Sequence, residues 1–243
     1  MYSAEPLPHF VDEYLAYLYE VHPTNATFDG VHLHDDLLED LSRQAIDVQI
    51  RDLGGFARRL AAIDPARLTE TERLERPALE ANIRGRLFEL EHVRTWERNP
   101  QFYSDLLATS LAGQALFDYA PLSERARRVL SKLRQVPRLI QAARDNIKDP
   151  PGIYVKVGLE SMRGALRFIN DDLPRAFGDL SDLHVLGDLA DASAEASTAI
   201  NKYIEYLETD LAPRSKGSFR LGRERFEEKF KLDATTSGIV PPS

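Results

Sequence analysis

The chain has 243 residues, 43% of them apolar and 29% charged, which is enough apolar side chain to bury a core and too much for disorder to be the default. Its 39 acidic and 31 basic side chains leave a formal charge of −8, a balance that repels polyphosphate and argues against nucleic acid as a partner. With no cysteine, disulfides and thiolate metal sites are excluded.

Residues 1–10 carry acid and two prolines, with no basic start leading into an apolar run, so the sequence predicts no secretory signal and a cytoplasmic location. A first helix is predicted over residues 7–21, with Phe10, Tyr14, Leu15, Leu18 and Val21 on one stripe. Pro23 ends it, and residues 24–40 read as an irregular connection in which Gly30 is free to take a positive φ. Ser42 is placed to cap a helix reaching Ile63, with Val48, Leu53, Phe56 and Leu60 on its apolar face. Thr69 and Glu72 have the spacing of a capping box, which opens a long helix to about Arg98, with Leu74, Ile83, Leu87, Leu90 and Trp96 facing inward.

Asn99–Pro100 then stops the chain and restarts it. Residues 103–119 read as a buried helix. Asp118 and a length below the roughly 20 residues of a bilayer span exclude a membrane segment there. From Ser123 onward, Ala126, Val129, Leu130, Leu133, Val136, Ile140, Ala143 and Ile147 keep a helical period, with Pro137 placed to kink it. The basic residues between Arg125 and Arg144 read as that helix's solvated face. After the break at residues 149–152, helices are predicted over 153–169 and 189–209, separated by a partly irregular stretch. A short amphipathic piece follows over 219–230, and then a tail from Leu232 to Ser243. No run alternates as a strand does. The expected fold is an all-α bundle of about eight mostly antiparallel helices without a sheet, with residues 1–243 as one domain.

The motifs of common catalytic centres are missing. No His-Glu-x-x-His pair places two imidazoles one helical turn apart, and there is no Gly-x-Ser-x-Gly or glycine-rich phosphate loop. No catalytic residue is therefore assigned. The cluster His32-Leu-His34-Asp35-Asp36 comes nearest to a metal site, with His32, His34 and Asp36 as the candidates, but its two histidines could chelate only from an extended or turn conformation with no evident third ligand, and the simpler reading is a polar turn. Asp171 and Asp172 read as helix-boundary residues. Trp96, Asn99, Pro100 and Tyr103 read as a clasp in which asparagine caps, proline starts the next helix and the aromatics pack across the break.

These residues also carry a family resemblance. Pro23, Ala26, Thr27, Gly30 and His32, followed by Asp35 or Asp36, make an ordered series with the block from Trp96 to Tyr103. The series continues with Arg128, Arg134, Pro137, Ile140, Ala143, Asn146 and Ile147, then Pro150–Pro151, residues 172–174 and residues 219–222. It resembles the N-terminal portion of the bacterial family called domain of unknown function 885.

The resemblance implies a helical protein similar to zinc metallopeptidases, more than twice this length, whose zinc segment lies in a C-terminal half. Zinc is thus implied for the complete protein and no cofactor for this chain. The implied partners are the missing half and, in the complete protein, a peptide substrate. Two functions follow: the inert, groove-shaping half of a metallopeptidase, or a free-standing helical binding or scaffold module. A half-bundle would expose an apolar face and self-associate.

Overall fold

The computed structural model describes residues 5–236, and the final residues of the predicted tail lie outside them. Among the described residues there is no strand, and eight helices have 14 residues or more. They are α1 (Leu7–Val21), α3 (Arg43–Ala62), α4 (Glu70–Phe88), α6 (Pro100–Leu116), α7 (Leu122–Asn146), α8 (Gly152–Arg167), α10 (Leu183–Tyr206) and α12 (Arg223–Thr236). Shorter helices complete the order: α2 (Pro23–Phe28), α5 (Thr95–Arg98), α9 (Leu173–Ala176) and α11 (Ala212–Arg214). No helix among them is long and apolar enough to cross a membrane.

The described chain divides into two compact units, each assembled from separated stretches: residues 5–18, 44–95 and 220–236 in one, and residues 19–43 and 96–219 in the other. The path crosses between them several times, so no shift in composition along the sequence marks a boundary.

In the first unit, Leu7, Phe10, Tyr14, Leu53, Leu60, Ile63, Leu68 and Ile83 form the core. Thr69 caps α4 as its spacing predicts, accepting from the Glu72 N–H while the Glu72 carboxylate accepts from the Thr69 N–H. Leu74, expected inward, is 77% exposed, because it lies in the first turns of α4, where the helix is solvated. The helix predicted to reach Arg98 ends earlier. A π turn over Glu89–Val93 widens it, and Arg94 then takes a left-handed φ of 56°.

The second unit is built on α6, α7, α8 and α10. The eight residues that set the period of α7 are all buried. The helix runs unbroken past Pro137. α6 and α7 are antiparallel, with Arg125 beside the carbonyls of Gln114 and Ala115, and Asn146 beside Tyr103. α7 and α10 run in the same direction, since Arg127, Arg134 and Arg144 meet Asp182, Asp188 and Tyr206 in turn. α8 crosses α6 at Gly158, where a Cβ would lie 2.8 Å from Pro100 Cβ and 2.9 Å from the Gln101 amide nitrogen.

Candidate functional site

The segment read as an irregular connection folds around two buried carboxylates. Pro23 starts α2 in a position that needs no N–H donor. Thr24 then donates its N–H and its hydroxyl to the two oxygens of Glu39, both at 2.9 Å. One turn later the Thr27 hydroxyl donates to Asp35. Gly30, at φ +82°, turns the chain into a 3-10 turn over His32–His34. That turn brings His32 Nδ1 to 2.9 Å from Asp35 Oδ2. From α7, Arg128 donates to the same Asp35 oxygen, to Glu124 and to Tyr119 Oη. The Tyr119 ring stacks on His32 with centroids 3.9 Å apart and planes 2° from parallel.

Burial alone would push the Asp35 carboxyl up. Hydrogen bonds from Thr27, Tyr119, Gln114 and His32 outweigh it and hold the group below the ordinary carboxylate range. Facing an ionised oxygen, His32 Nδ1 is the donor of this contact.

Arg125 closes the neighbouring end of α6. Its guanidinium donates to the carbonyls of Gln114, Ala115 and Ala120, groups that a helix end leaves without partners, and to Asp118. Lys132, four residues beyond Arg128, is wholly buried, and its ammonium has no hydrogen-bond partner among the described residues. Burial pushes its pKa down against the opposing fields of Glu39, Asp35 and Asp36.

Further along α7, polar side chains grip the main chain of residues 36–41. Gln135 accepts from the Leu38 N–H and donates to the Asp36 carbonyl, Arg138 donates to the Leu38 carbonyl, and Asn146 donates to the Leu41 carbonyl at 2.7 Å. Asn146 also donates to Tyr103 Oη at 3.0 Å, and Tyr103 donates to the Trp96 carbonyl. Asn99 accepts from the Gln101 N–H, and Pro100 opens α6. The cap and the restart of the predicted clasp are therefore formed, and its two aromatics are joined by this hydroxyl–carbonyl bond. A half-open cavity of about 550 Å³ with a mostly apolar wall lies beside it, where the Arg43 guanidinium sits 5.1 Å from the Trp96 ring and Arg138, Asp145 and Asn146 contribute to the lining.

Of the residues considered for a metal, His32 is drawn to Asp35, while Asp36 is exposed and offers its carbonyl to Gln135. The donors that come together among the described residues are Glu5, His9 and Glu13 in the first unit, whose four-residue spacing was legible but was not singled out. Arg59 already donates to both of those glutamates, so a cation is supplied from within. In the second set both carboxylates are taken up by Arg59, and at the first the carboxylate that meets His32 is Asp35, itself held by Arg128.

Four phenols, Tyr14, Tyr103, Tyr119 and Tyr203, all pushed up chiefly by burial, set the alkaline behaviour together with Lys132. Burial pushes Tyr119 and Tyr14 each up to about 12. The native state thus keeps protons that the unfolded chain releases near pH 10, so their stabilisation is complete below about 10 and is lost as pH rises through about 12. Lys132 has the opposite sign, because the native state gives up its proton first, and stability gains as pH approaches about 10.4. Urea unfolding across alkaline pH is therefore expected to show a maximum near pH 10 and then a steep fall that tracks phenolate absorbance. A flat profile to pH 12 would contradict this.

What fold and site define is an all-helical protein whose signature residues bind one another. The chain belongs to DUF885, a family of bacterial proteins of unknown function, whose pattern matches residues 23–238. Among solved structures it is similar to a candidate lipoprotein of unknown function from Shewanella oneidensis, with 25% sequence identity and a TM-score of 0.85. That match covers 94% of this chain and 42% of the other, so this chain spans less than half the length of that structure. No curated protein matches it.

Proposed function

We propose that this chain is the structural, substrate-groove half of a larger helical hydrolase of peptide or amide bonds, inert by itself. The observation that carries this reading is where the family residues are spent. Thr27, His32, Asp35, Arg128, Tyr103 and Asn146 engage one another or the main chain and leave no open cage of ligands. The length of the matched structure leaves room for the reactive part elsewhere. A zinc ion held there would supply an activated water for attack on a carbonyl. This half contributes, beside Trp96, a mostly apolar cavity rimmed by charged side chains and large enough for a side chain or two of a peptide.

The test is metal analysis and a peptidase assay on the longer product and on residues 1–243 side by side. Stoichiometric zinc and chelator-sensitive cleavage are expected in the first and neither in the second. Zinc and cleavage in residues 1–243 alone would overturn the proposal. Their absence from both would leave the chain a helical scaffold.

A further inference from the structure

Around the His32–Tyr119 stack the surface is unusually apolar. Leu33 is 81% exposed, Leu116 69% and Phe28 48%, with Leu37 and Phe117 also exposed. Phe28 and Phe117 form one neighbourhood, with Leu116 next to Phe117 in the chain and Leu33 and Leu37 on the turn segment that follows α2. The rings of Phe28 and Phe117 meet edge to face at 5.3 Å, and the Phe28 ring lies over Gly113, where a Cβ would come within 3.3 Å of it. Leu33 follows the stacked His32, and Phe117 leads toward its stacking partner Tyr119.

The backbone beneath is pinned rather than loose. Glu39 and Asp35 hold α2 and the turn, and Arg125 holds the end of α6. The ordering that a docking surface requires has therefore already occurred. An exposed apolar patch on a pinned frame marks an interaction site.

Charge narrows the choice of occupant. Asp29 and Asp36 edge the patch, while Asp118 and Glu124 beside it are already paired with Arg125 and Arg128, so the same face of a second copy would bring Asp29 and Asp36 against their own kind, and an anionic membrane would meet those two acids. The matched solved structure, of which this chain covers 42%, offers the other candidate. We propose that the face made by Phe28, Leu33, Leu37, Leu116 and Phe117 seats the helical remainder of the longer chain, through an apolar stripe flanked by basic residues. This rests on the reading of the chain as one part of a longer hydrolase.

The absence of native cysteine in residues 1–243 makes the test clean. Leu33→Cys and Leu116→Cys, both at well-exposed positions, are made in residues 1–243 and in the longer product. Alkylation at the introduced thiol is followed by mass spectrometry and compared with the denatured chain. Rapid labelling in residues 1–243 and labelling slowed roughly tenfold or more in the longer product are expected.

Equal labelling in both overturns the proposal. Protection in residues 1–243 that disappears on dilution also overturns it, in favour of a second copy. Zinc and cleavage are measured on the same longer product. Protection lost with both intact sinks the docking face alone, whereas protection present without either sinks the hydrolase reading alone.

Discussion

Asp35→Ala is expected to lower the unfolding free energy by about 3–5 kcal/mol, the range for removing one side of a buried ion pair. The carboxylate is 1% exposed and accepts from Thr27, His32 and Arg128, three groups that approach from α2, the following turn and α7. Its loss leaves a partly buried guanidinium and a buried hydroxyl without their acceptor, and the penalty for such orphans exceeds the value of the bonds themselves.

Asp35→Asn keeps the shape and one acceptor, so a smaller loss is expected. It also isolates the charge. Because the folded-state pKa is depressed, the ionised group stabilises the native state above about 3.9, and that contribution is lost as pH falls through the folded value. Acid titration of stability is expected to be shallower in Asp35→Asn than in the parent. Urea melts at neutral pH that place Asp35→Ala within about 1 kcal/mol of the parent would mean the network does not hold the turn.

The second large effect comes from a residue with no side chain. At Gly158, alanine would gain up to about 1 kcal/mol in helix propensity. Overpacking costs about 1–3 kcal/mol where neighbours cannot yield. Here the nearest atoms are Pro100 Cβ at 2.8 Å and the Gln101 amide nitrogen at 2.9 Å, a ring and a backbone that begin α6. Strain therefore outweighs propensity. Gly158→Ala is expected to destabilise, and Gly158→Val to do so by about 3 kcal/mol or more as its branches press the two helices apart. Gly85 is the contrast: it lies within α4 and has nothing within 4 Å of a built Cβ. The same change to alanine there is expected to stabilise by about 0.5–1 kcal/mol. Thermal melts of the two alanine variants test the argument, since shifts of the same sign would show that crowding at the α6–α8 crossing does not decide the outcome.

The parts of the fold that could be read beforehand are those whose causes are local. The period of α7, the Thr69–Glu72 box and the Asn99–Pro100 restart each lie within a few residues of one another, and each is present. α2 was missed because six residues are too few to display a period, and the proline that begins it reads as a break.

The π turns were missed for a different reason. Ala165, Ile169, Leu173 and Phe177 are buried at intervals of four. Each such step overshoots an α-helical turn by roughly 40°, so three of them would carry the last residue about 120° off the core. The wider turn over Phe168–Asp172 absorbs that drift, as does the one over Leu207–Leu211 for Tyr203, Leu207 and Leu211.

At the site, sequence reading named His32, His34 and Asp36, of which His32 joins the network around Asp35. A 3-10 turn has no pattern that tells which of two adjacent aspartates points inward. What selects Asp35 is Arg128, 93 positions away. Lys132 was counted with the solvated face of α7, although it is wholly buried and lies between Val129 and Leu133 on the one side and Val136 on the other.

That burial bears on when this protein can be covalently marked. Lys148, Lys156 and Lys202 present their amines to solvent at all times. The amine of Lys132 is sealed by the packed helix around it, so an acyl donor meets it only on a nascent chain or during a global opening. An acylated Lys132 would thus record an event that preceded closure. The added bulk would then have to fit a space shaped for a bare ammonium, and molecules so marked would be sorted toward degradation rather than back into the native pool.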